Sequence, residues 1–199
     1  MAFEIIQIPK DDESIRRYVD QVKAFRLHSL QTSPEAFFST YARESAFTDD
    51  VWYKRLSNPE AITFIAVQSD RIVSSIALIG PLPYGPGELS PLGNPWVSMD
   101  GDAAVKIPTT SHWRINGMFT LPEARGQGTA KALIEAAQKF GAAQAEGSGK
   151  DPVLSIAVDE DNVTAKSLYE RCGFFTIKEE INRGDMRNVL LMEWQPSSS

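Results

Sequence analysis

The stretch Met118-Phe-Thr-Leu-Pro-Glu-Ala-Arg-Gly-Gln-Gly-Thr-Ala-Lys-Ala-Leu-Ile134 leads an apolar strand directly into a glycine-rich turn and then into a helix. The glycines allow the backbone to bend and to approach a ligand closely. The first N–H groups of the helix have no partner within it and lie at the positive end of its dipole. This order of elements predicts an anion-binding site where the helix begins.

The spacing of the glycines argues against the two commonest phosphate-binding loops. A P-loop needs a glycine directly before its lysine and a serine or threonine after it, whereas Lys131 lies between two alanines. A dinucleotide fingerprint needs a third glycine at position 131, so that the helix can pack closely on the strand. ATP, GTP and NAD are therefore poor candidate ligands.

Two motifs in the expected order resemble those of the GNAT superfamily, the acetyl-CoA-dependent N-acyltransferases. Arg125-Gly-Gln-Gly-Thr-Ala130 resembles the family's Arg/Gln-x-x-Gly-x-Gly/Ala loop, and Pro122-Glu123 precedes it as in many members. Further along the chain, Asn162-Val-Thr-Ala-Lys-Ser-Leu-Tyr-Glu-Arg-Cys-Gly-Phe174 is similar to Asn-x-x-Ala-x-x-Leu-Tyr-x-x-x-Gly-Phe. Two ordered motifs are far more specific than either alone.

Hydrophobic periodicity and turn signals predict the order β α α α β β β α β α β β. The predicted strands are 3–8, 61–68, 71–79, 112–120, 153–158, 174–181 and 188–194, and the predicted helices are 12 to about 30, 33–38, 49–57, 129 to about 143, and 162–172. This order is that of the GNAT fold. The resemblance therefore implies an α+β fold with a twisted, mostly antiparallel sheet of about seven strands, flanked by helices. It also implies that the strands of Met118 and Ile156 splay apart to admit the pantetheine arm.

The composition is that of an ordinary globular domain, with 199 residues of which 42% are hydrophobic and 23% charged. We expect one domain over residues 1–195 and a flexible tail at 196–199. A proline- and glycine-rich loop at 80–111 is too long for an ordinary connection. Such a loop is either an ordered or mobile functional element or a disordered insertion.

Charge and cysteine usage argue against several function classes. The lone Cys172 cannot form an internal disulfide, and no cysteine or histidine cluster has metal-ligand spacing, so we expect no metal. A net charge of −6 with a pI near 5.0 argues against nucleic-acid binding. Neither a signal segment nor an apolar run of the roughly 20 residues that span a membrane is present, which predicts a cytoplasmic protein that does not bind membranes.

The resemblance implies a role for each matching residue. Backbone groups of Met118, Phe119 and Thr120 hold the pantetheine arm and polarise the thioester carbonyl, which makes Met118 catalytic through its main chain. The coenzyme A diphosphate is bound by backbone amides of the loop residues Arg125, Gly126, Gln127, Gly128, Thr129 and Ala130. Asn162 hydrogen-bonds the pantetheine arm, and Tyr169 is the general acid that protonates the departing thiolate. A helix cap alone would also explain Asn162, and a core position alone would explain Tyr169.

The resulting hypothesis is an N-acetyltransferase, a monomer or homodimer, that passes the acetyl group of acetyl-CoA directly to an amine in a ternary complex. The acceptor is a small-molecule or peptide amine, such as a polyamine, an aminoglycoside or a protein amino group, and net charge does not choose among them. The base that deprotonates it is His112, Asp100, Asp102 or a held water. Two alternatives stay open: a non-catalytic regulatory module that binds coenzyme A, and a nucleotide-binding protein.

Overall fold

The computed structural model describes residues 2–84, 109–181 and 187–196. Most of the predicted 80–111 loop, the predicted turn at 183–185 and the last three residues of the tail lie outside this range. The chain forms two compact units, one of Met1–Leu78 with Gly117–Ala136 and the other of Ile79–Asn116 with Ala137–Ser199. The single-domain organisation over residues 1–195 stays a prediction.

The described residues form seven strands and five α-helices in the predicted order. The strands are β1 (Glu4–Gln7), β2 (Ala61–Gln68), β3 (Arg71–Leu82), β4 (Thr110–Thr120), β5 (Asp151–Asp159), β6 (Phe175–Ile181) and β7 (Asn188–Trp194). The helices are α1 (Asp12–Thr32), α2 (Tyr41–Ser45), α3 (Asp49–Ser57), α4 (Thr129–Ser148) and α5 (Val163–Arg171). Single 3-10 turns occur at Pro34–Ala36 and Pro122–Ala124.

The seven strands form one sheet in the order β1-β2-β3-β4-β5-β7-β6. β4 and β5 run parallel, whereas β1 pairs antiparallel with β2, and β7 pairs antiparallel with both β5 and β6. The register between β4 and β5 covers five pairs, from Thr110 with Asp151 to Arg114 with Ser155. The predicted α+β class, with a mostly antiparallel sheet of seven strands, is confirmed.

The first unit is built on an amphipathic α1 packed against α3 and on a buried β2. Asp11 caps α1 by accepting from the Ser14 N–H at 2.9 Å, which satisfies one of the helix's orphan donors. The helix then buries Ile15, Phe25 and Leu30. Six consecutive residues of β2 are buried, because this strand lies inside the sheet and is covered on both faces.

The second unit is built on β5 and β7 and on the longer part of α4. Trp113 of β4 packs edge to face on Phe140 of α4, with the ring centroids 5.0 Å apart. A Cβ on Gly141 would overlap the Cδ1 methyl of Leu154 on β5, so α4 approaches the sheet here as closely as a glycine allows. The side chain of α4 residue Gln138 also donates to the carbonyl of Cys172 at 2.7 Å.

The prediction of a second helix at 33–38 is wrong. Pro34 does begin a turn, but this 3-10 turn ends at Ala36, and Phe37 is extended with φ −130° and ψ 150°. Phe37 uses that conformation to bury its ring against Phe119, at 5.7 Å between centroids. The actual α2 begins four residues later, where the Thr40 hydroxyl caps it by accepting from the Arg43 N–H.

Candidate active site

The end of β4 lies in the first unit. Its Phe119 and Thr120 carbonyls accept hydrogen bonds from side chains. The Ser74 hydroxyl on β3 donates to the Phe119 carbonyl at 2.8 Å and lies 2.7 Å from the Thr120 hydroxyl. Because a hydroxyl has one proton, Thr120 is the donor in the second contact. Gly117, directly before Met118, has φ +61° and so interrupts the regular strand. The backbone at Met118 follows a bend that a residue with a side chain adopts only with strain.

The predicted anion loop has the backbone that its glycines imply. Gly126 and Gly128 have φ of +74° and +80°, and a Cβ on either would meet no atom within 4 Å. Residues 125–128 are exposed, and the first helical bond of α4 runs from the Ala132 N–H to the Gly128 carbonyl. Among the described residues, no acceptor takes the N–H groups of positions 126 to 131. Six consecutive donors are therefore available at the helix start.

Arg125 begins the loop but does not extend its row of free donors. Its own N–H donates to the Pro122 carbonyl at 3.2 Å, so the row begins at Gly126. Its side chain turns back to the strand, where Nε donates to the Thr120 carbonyl at 3.1 Å and the guanidinium lies 5.6 Å from the Phe119 ring centroid. The strand end and the loop are thus brought together in one unit. Arg125 also places a permanent positive charge beside the loop.

Asn162 and Tyr169 both belong to α5, in the second unit. Asn162 caps the helix, since its side-chain oxygen accepts from the Ala165 N–H at 3.1 Å. Tyr169 is 5% exposed and packs edge to face on Phe174, at 5.7 Å between ring centroids. No described residue accepts a hydrogen bond from its hydroxyl. This oxygen is not among the fully buried side-chain atoms that lack a partner, so it keeps some accessible surface.

The surroundings of Tyr169 keep its hydroxyl protonated. Burial raises the pKa of this phenol well above its usual range, and the nearby Cys172 acts in the same direction. The group can therefore give a proton or donate a hydrogen bond throughout the neutral pH range. It is unsuited to act as a base there.

His112 is a scaffold residue in the second unit rather than an accessible base. The ring is 2% exposed; its Nε2 lies 2.7 Å from the Ser155 hydroxyl and its Nδ1 lies 3.2 Å from the Pro83 carbonyl. Both ring nitrogens thus have partners. Burial lowers the pKa of His112 to about 4, so the ring is neutral at pH 7. The other side-chain candidates, Asp100 and Asp102, lie outside the described residues.

The sequence reasoning missed a charged cluster beside the end of β4. Arg26 of α1 forms two hydrogen bonds to Glu44 of α2, at 3.0 and 2.7 Å, and its guanidinium lies 4.4 Å from the Phe37 ring centroid. Burial opposes ionisation of Glu44, but the hydrogen bonds and charge of Arg26 outweigh it and lower the pKa of the carboxyl. Glu44 is therefore a poor base. A signal was present, because Arg26 follows Val22 by four residues on the apolar face of α1.

The described geometry defines a class of protein. It is an α+β protein whose fourth strand ends in a bend and leads to a loop with six free amide donors, backed by a permanent cation. Such an arrangement is suited to a phosphate-bearing ligand at the strand's carboxyl end. The free hydroxyl of Tyr169 adds a proton donor in the second unit.

Comparison with known protein families agrees with this geometry. The sequence profile of the acetyltransferase (GNAT) family matches residues 26–174. The chain therefore belongs to the GNAT acetyltransferase family and is an acetyl-CoA-dependent acyltransferase. The matched range contains both motifs from which the resemblance was inferred. No curated protein matches the chain by sequence.

Solved structures share the fold at low sequence identity. A GNAT-family acetyltransferase from Streptococcus pneumoniae matches with a TM-score of 0.63 and 18% identity, over 98% of this chain and 100% of its own. Aminoglycoside 6'-acetyltransferase type Ii matches with 0.62 and 18%, over 98% and 99%. The ribosomal-protein-S18-alanine N-acetyltransferase from Escherichia coli matches with 0.57 and 13%, over 100% and 96%. At these identities the likeness concerns the fold alone.

Two properties of the described residues concern metal binding and membrane insertion. No group of three or more histidine, cysteine, aspartate or glutamate side chains in this part of the chain is arranged to hold a metal ion. None of the described helices combines the length and apolar character that crossing a membrane requires.

Proposed function

We propose that this protein transfers the acetyl group of acetyl-CoA directly to an amine within a ternary complex. The observation that carries the proposal is the row of six free N–H groups from Gly126 to Lys131 at the start of α4. Acetyl-CoA supplies a thioester, an activated acyl group on a good leaving group. The amine nitrogen forms the new C–N bond as the C–S bond breaks, and one proton leaves the amine while one reaches the sulfur.

The loop binds the diphosphate of coenzyme A through its main chain. Its N–H groups lie at the positive end of the α4 dipole, and hydrogen bonds to charged oxygens are roughly twice as strong as neutral ones. Nothing lies within 4 Å of a Cβ position at Gly126 or Gly128, so the ligand can approach the backbone closely. Lys131 is exposed and pairs only loosely with Glu135, at 3.5 Å, so its charge is available to phosphate as well.

The end of β4 orients the donor. Backbone groups of Met118, Phe119 and Thr120 hold the pantetheine arm, and a main-chain donor at Met118 polarises the thioester carbonyl. The bend at Gly117 supports this role because it takes the following backbone out of the regular ladder. Fixed donors of this kind are worth roughly 10²- to 10³-fold in rate each.

Tyr169 gives its proton to the departing thiolate, and Asn162 hydrogen-bonds the pantetheine arm in addition to capping α5. The free, protonated hydroxyl of Tyr169 supports the first role. The second role is compatible with the cap, because an amide side chain keeps donors after its oxygen has accepted the Ala165 N–H. A water held by backbone groups, or an aspartate at 100 or 102, takes the amine proton.

The proposal extends to the setting of the enzyme. The acceptor is a small-molecule or peptide amine, the protein is cytoplasmic, and it acts as a monomer or homodimer without nucleic acid or metal. Solved relatives by fold include enzymes named for aminoglycosides and for a ribosomal-protein alanine, which supports an amine acceptor without choosing one.

Two measurements test the proposal. Calorimetric titration with coenzyme A should detect binding, and thiol release from acetyl-CoA should occur only when an amine from a broad panel is present. Failure to bind coenzyme A would refute the donor site. Binding without acceptor-dependent release on any amine would favour the regulatory module instead.

A matched pair of glycine variants tests the loop itself. Gly128→Ala forces a side chain onto φ +80°, and Gly149→Ala does the same at φ +65° just beyond the end of α4; neither Cβ would meet an atom within 4 Å. Both should lose about 1–2 kcal/mol of stability. Only Gly128→Ala should also weaken coenzyme A binding, by about tenfold or more, because it misdirects the amide donors. Equal affinities in the two variants would contradict the assignment.

A further inference from the structure

Two nitrogens of the Arg26 guanidinium have hydrogen-bond acceptors, and the third has none among the described residues. Nε and Nη2 both donate to Glu44, which is 3% exposed, so this pair is fixed in a bidentate arrangement. The third nitrogen, Nη1, is buried and has no acceptor among the described residues. A buried donor on a charged group is costly to leave unpaired, and such exceptions in native structures call for an explanation.

The free nitrogen lies beside the bend in β4. A Cβ placed on Gly117 would lie 3.6 Å from Nη1, which is ordinary van der Waals distance. Gly117 directly precedes Met118, and consecutive Cα atoms are about 3.8 Å apart. Nη1 therefore lies at most roughly 9 Å from the Met118 Cα, in the backbone that we propose polarises the thioester. The Arg26 side chain as a whole keeps 19% of its surface exposed, whereas Nη1 itself is buried, so a carboxylate binds there only after a small shift of the neighbouring groups.

Glu44 pairs with two arginines among the described residues. It faces the guanidinium of Arg26 at 2.7 Å and that of Arg55 at 3.8 Å. The remaining unpaired nitrogen of the Arg26 cation disfavours a further cation in these half-buried surroundings and favours an anion. A polycationic acceptor would be repelled here unless its charges lay elsewhere.

We propose that Arg26 selects the acceptor by donating from Nη1 to a carboxylate on the carbon that bears the reacting amine. The acceptor class is then the α-amino acids or compounds with the same head group. The span of at most roughly 9 Å from Nη1 to Met118 favours a carboxylate close to the reacting nitrogen. The inference rests on the proposed function and names the acceptor of that same site.

A purely structural role for Arg26 is the competing explanation. The Arg26–Glu44 pair also ties α1 to α2, and removing it would destabilise the protein whatever the acceptor. The two explanations differ in what they predict for substrates. If Arg26 only ties α1 to α2, its removal should change the turnover of all acceptors alike. If Arg26 binds the acceptor, its removal should change the KM of only those acceptors that carry the carboxylate.

Matched substrate pairs test the inference on the unmodified protein. Thiol release from acetyl-CoA is measured with leucine against isoamylamine, phenylalanine against phenethylamine, and lysine against cadaverine, each pair differing only by the carboxylate. We expect the carboxylated member to have a KM lower by about tenfold or more, because a site built for a hydrogen-bonding group rejects analogues that lack it. Equal KM values, or a preference for the plain amines, would overturn the inference while leaving acetyl transfer intact.

Two arginine variants locate the effect. Arg26→Gln should erase the KM difference within each pair, and Arg55→Gln, which removes the other cation on Glu44, should retain it. Thermal unfolding and coenzyme A calorimetry show whether each variant is folded and binds the donor. Retention of the carboxylate preference in folded Arg26→Gln would overturn the inference. If no amine in either half of the panel is acetylated, the inference fails together with acyl transfer, and calorimetry shows whether donor binding survives.

Discussion

Tyr169 shows how one residue combines a core position with an available polar group. Its ring packs on Phe174, which is the structural reason for an aromatic residue on α5. Its hydroxyl, however, has no partner among the described residues, and packing gives no reason for that oxygen. A phenylalanine would fill the same space at lower cost in desolvation.

Replacing Tyr169 with phenylalanine should separate catalysis from binding. We expect kcat for thiol release to fall by roughly 10²- to 10⁴-fold, the usual worth of a positioned acid, while affinity for coenzyme A changes little. Because thiols have a pKa of about 8.5, part of the loss should be recovered with donors whose leaving thiol is more acidic.

Tyr53→Phe is the matched control for this experiment, since it removes a phenol from α3 that hydrogen-bonds Asp12. It should leave kcat unchanged. Unchanged turnover in Tyr169→Phe, with an acceptor established on the native enzyme, would remove the catalytic role.

At the scale of elements, α4 depends on one glycine for its contact with the sheet. Gly141 lies in the middle of the helix, where glycine costs about 1 kcal/mol relative to alanine. The sequence predicted that this helix ends near residue 143. The helix instead continues to Ser148, because contact with Leu154 offsets the poor intrinsic propensity. Leu154 is fully buried and cannot easily move aside.

Two alanine substitutions within α4 should therefore have opposite effects. Gly141→Ala should lower the free energy of unfolding by about 1–3 kcal/mol, because the new methyl overlaps the Leu154 side chain. Gly147→Ala meets no atom within 4 Å and should raise it by about 0.5–1 kcal/mol. Denaturant unfolding measures both, and a stabilising Gly141→Ala would show that this contact is not tight.

The second helix shows where local signals mislead. Ser33-Pro34 is a good helix start, and the structure does turn there. The helix stops after one turn because Phe37 gains more by burying its ring against Phe119 than by continuing. This long-range contact is absent from the local sequence pattern, and so is the Glu44–Arg26 pair that holds α2 to α1.

At the scale of the whole molecule, a buried polar network joins three strands of the sheet. Tyr84 donates to Glu193 of β7 at 2.9 Å and packs edge to face on His112 of β4, which contacts Ser155 of β5. Register places Ser155 opposite Glu193. Every member shown here has a partner, so the network stabilises the unit only while each keeps its protonation state.

Stability should consequently fall in mild acid. The pKa of His112 is lowered from 6.5 to about 4, so between these values the unfolded chain binds a proton that the folded ring does not. The stabilisation is complete above pH 6.5 and is lost as the pH falls toward 4, by roughly 3–4 kcal/mol at about 1.4 kcal/mol per pKa unit. The charge of Arg114 lowers the pKa of His112 in the same direction as burial. Burial raises the pKa of the Glu193 carboxyl, so the contribution of Glu193 to stability grows as the pH falls and offsets part of the loss.

Denaturant unfolding between pH 4 and pH 7 measures this dependence, and NMR titration of the His112 ring checks its pKa directly. His112→Gln should flatten the slope. His28→Gln, which removes an exposed histidine and keeps the buried one, should retain it. A His112 ring that titrates near 6.5 in the folded protein would contradict the assignment.

The sequence by itself determined the family, the element order and the glycine turn before α4, because these depend on short-range patterns: hydrophobic periods, helix caps and glycines that must adopt positive φ. It also determined Tyr169 as a candidate through motif spacing. Only the tertiary structure decided that His112 is buried, that Phe37 is extended, and that Arg26 presents a free donor beside Gly117. These outcomes depend on contacts between residues far apart in the chain, where burial and pairing outweigh local preference.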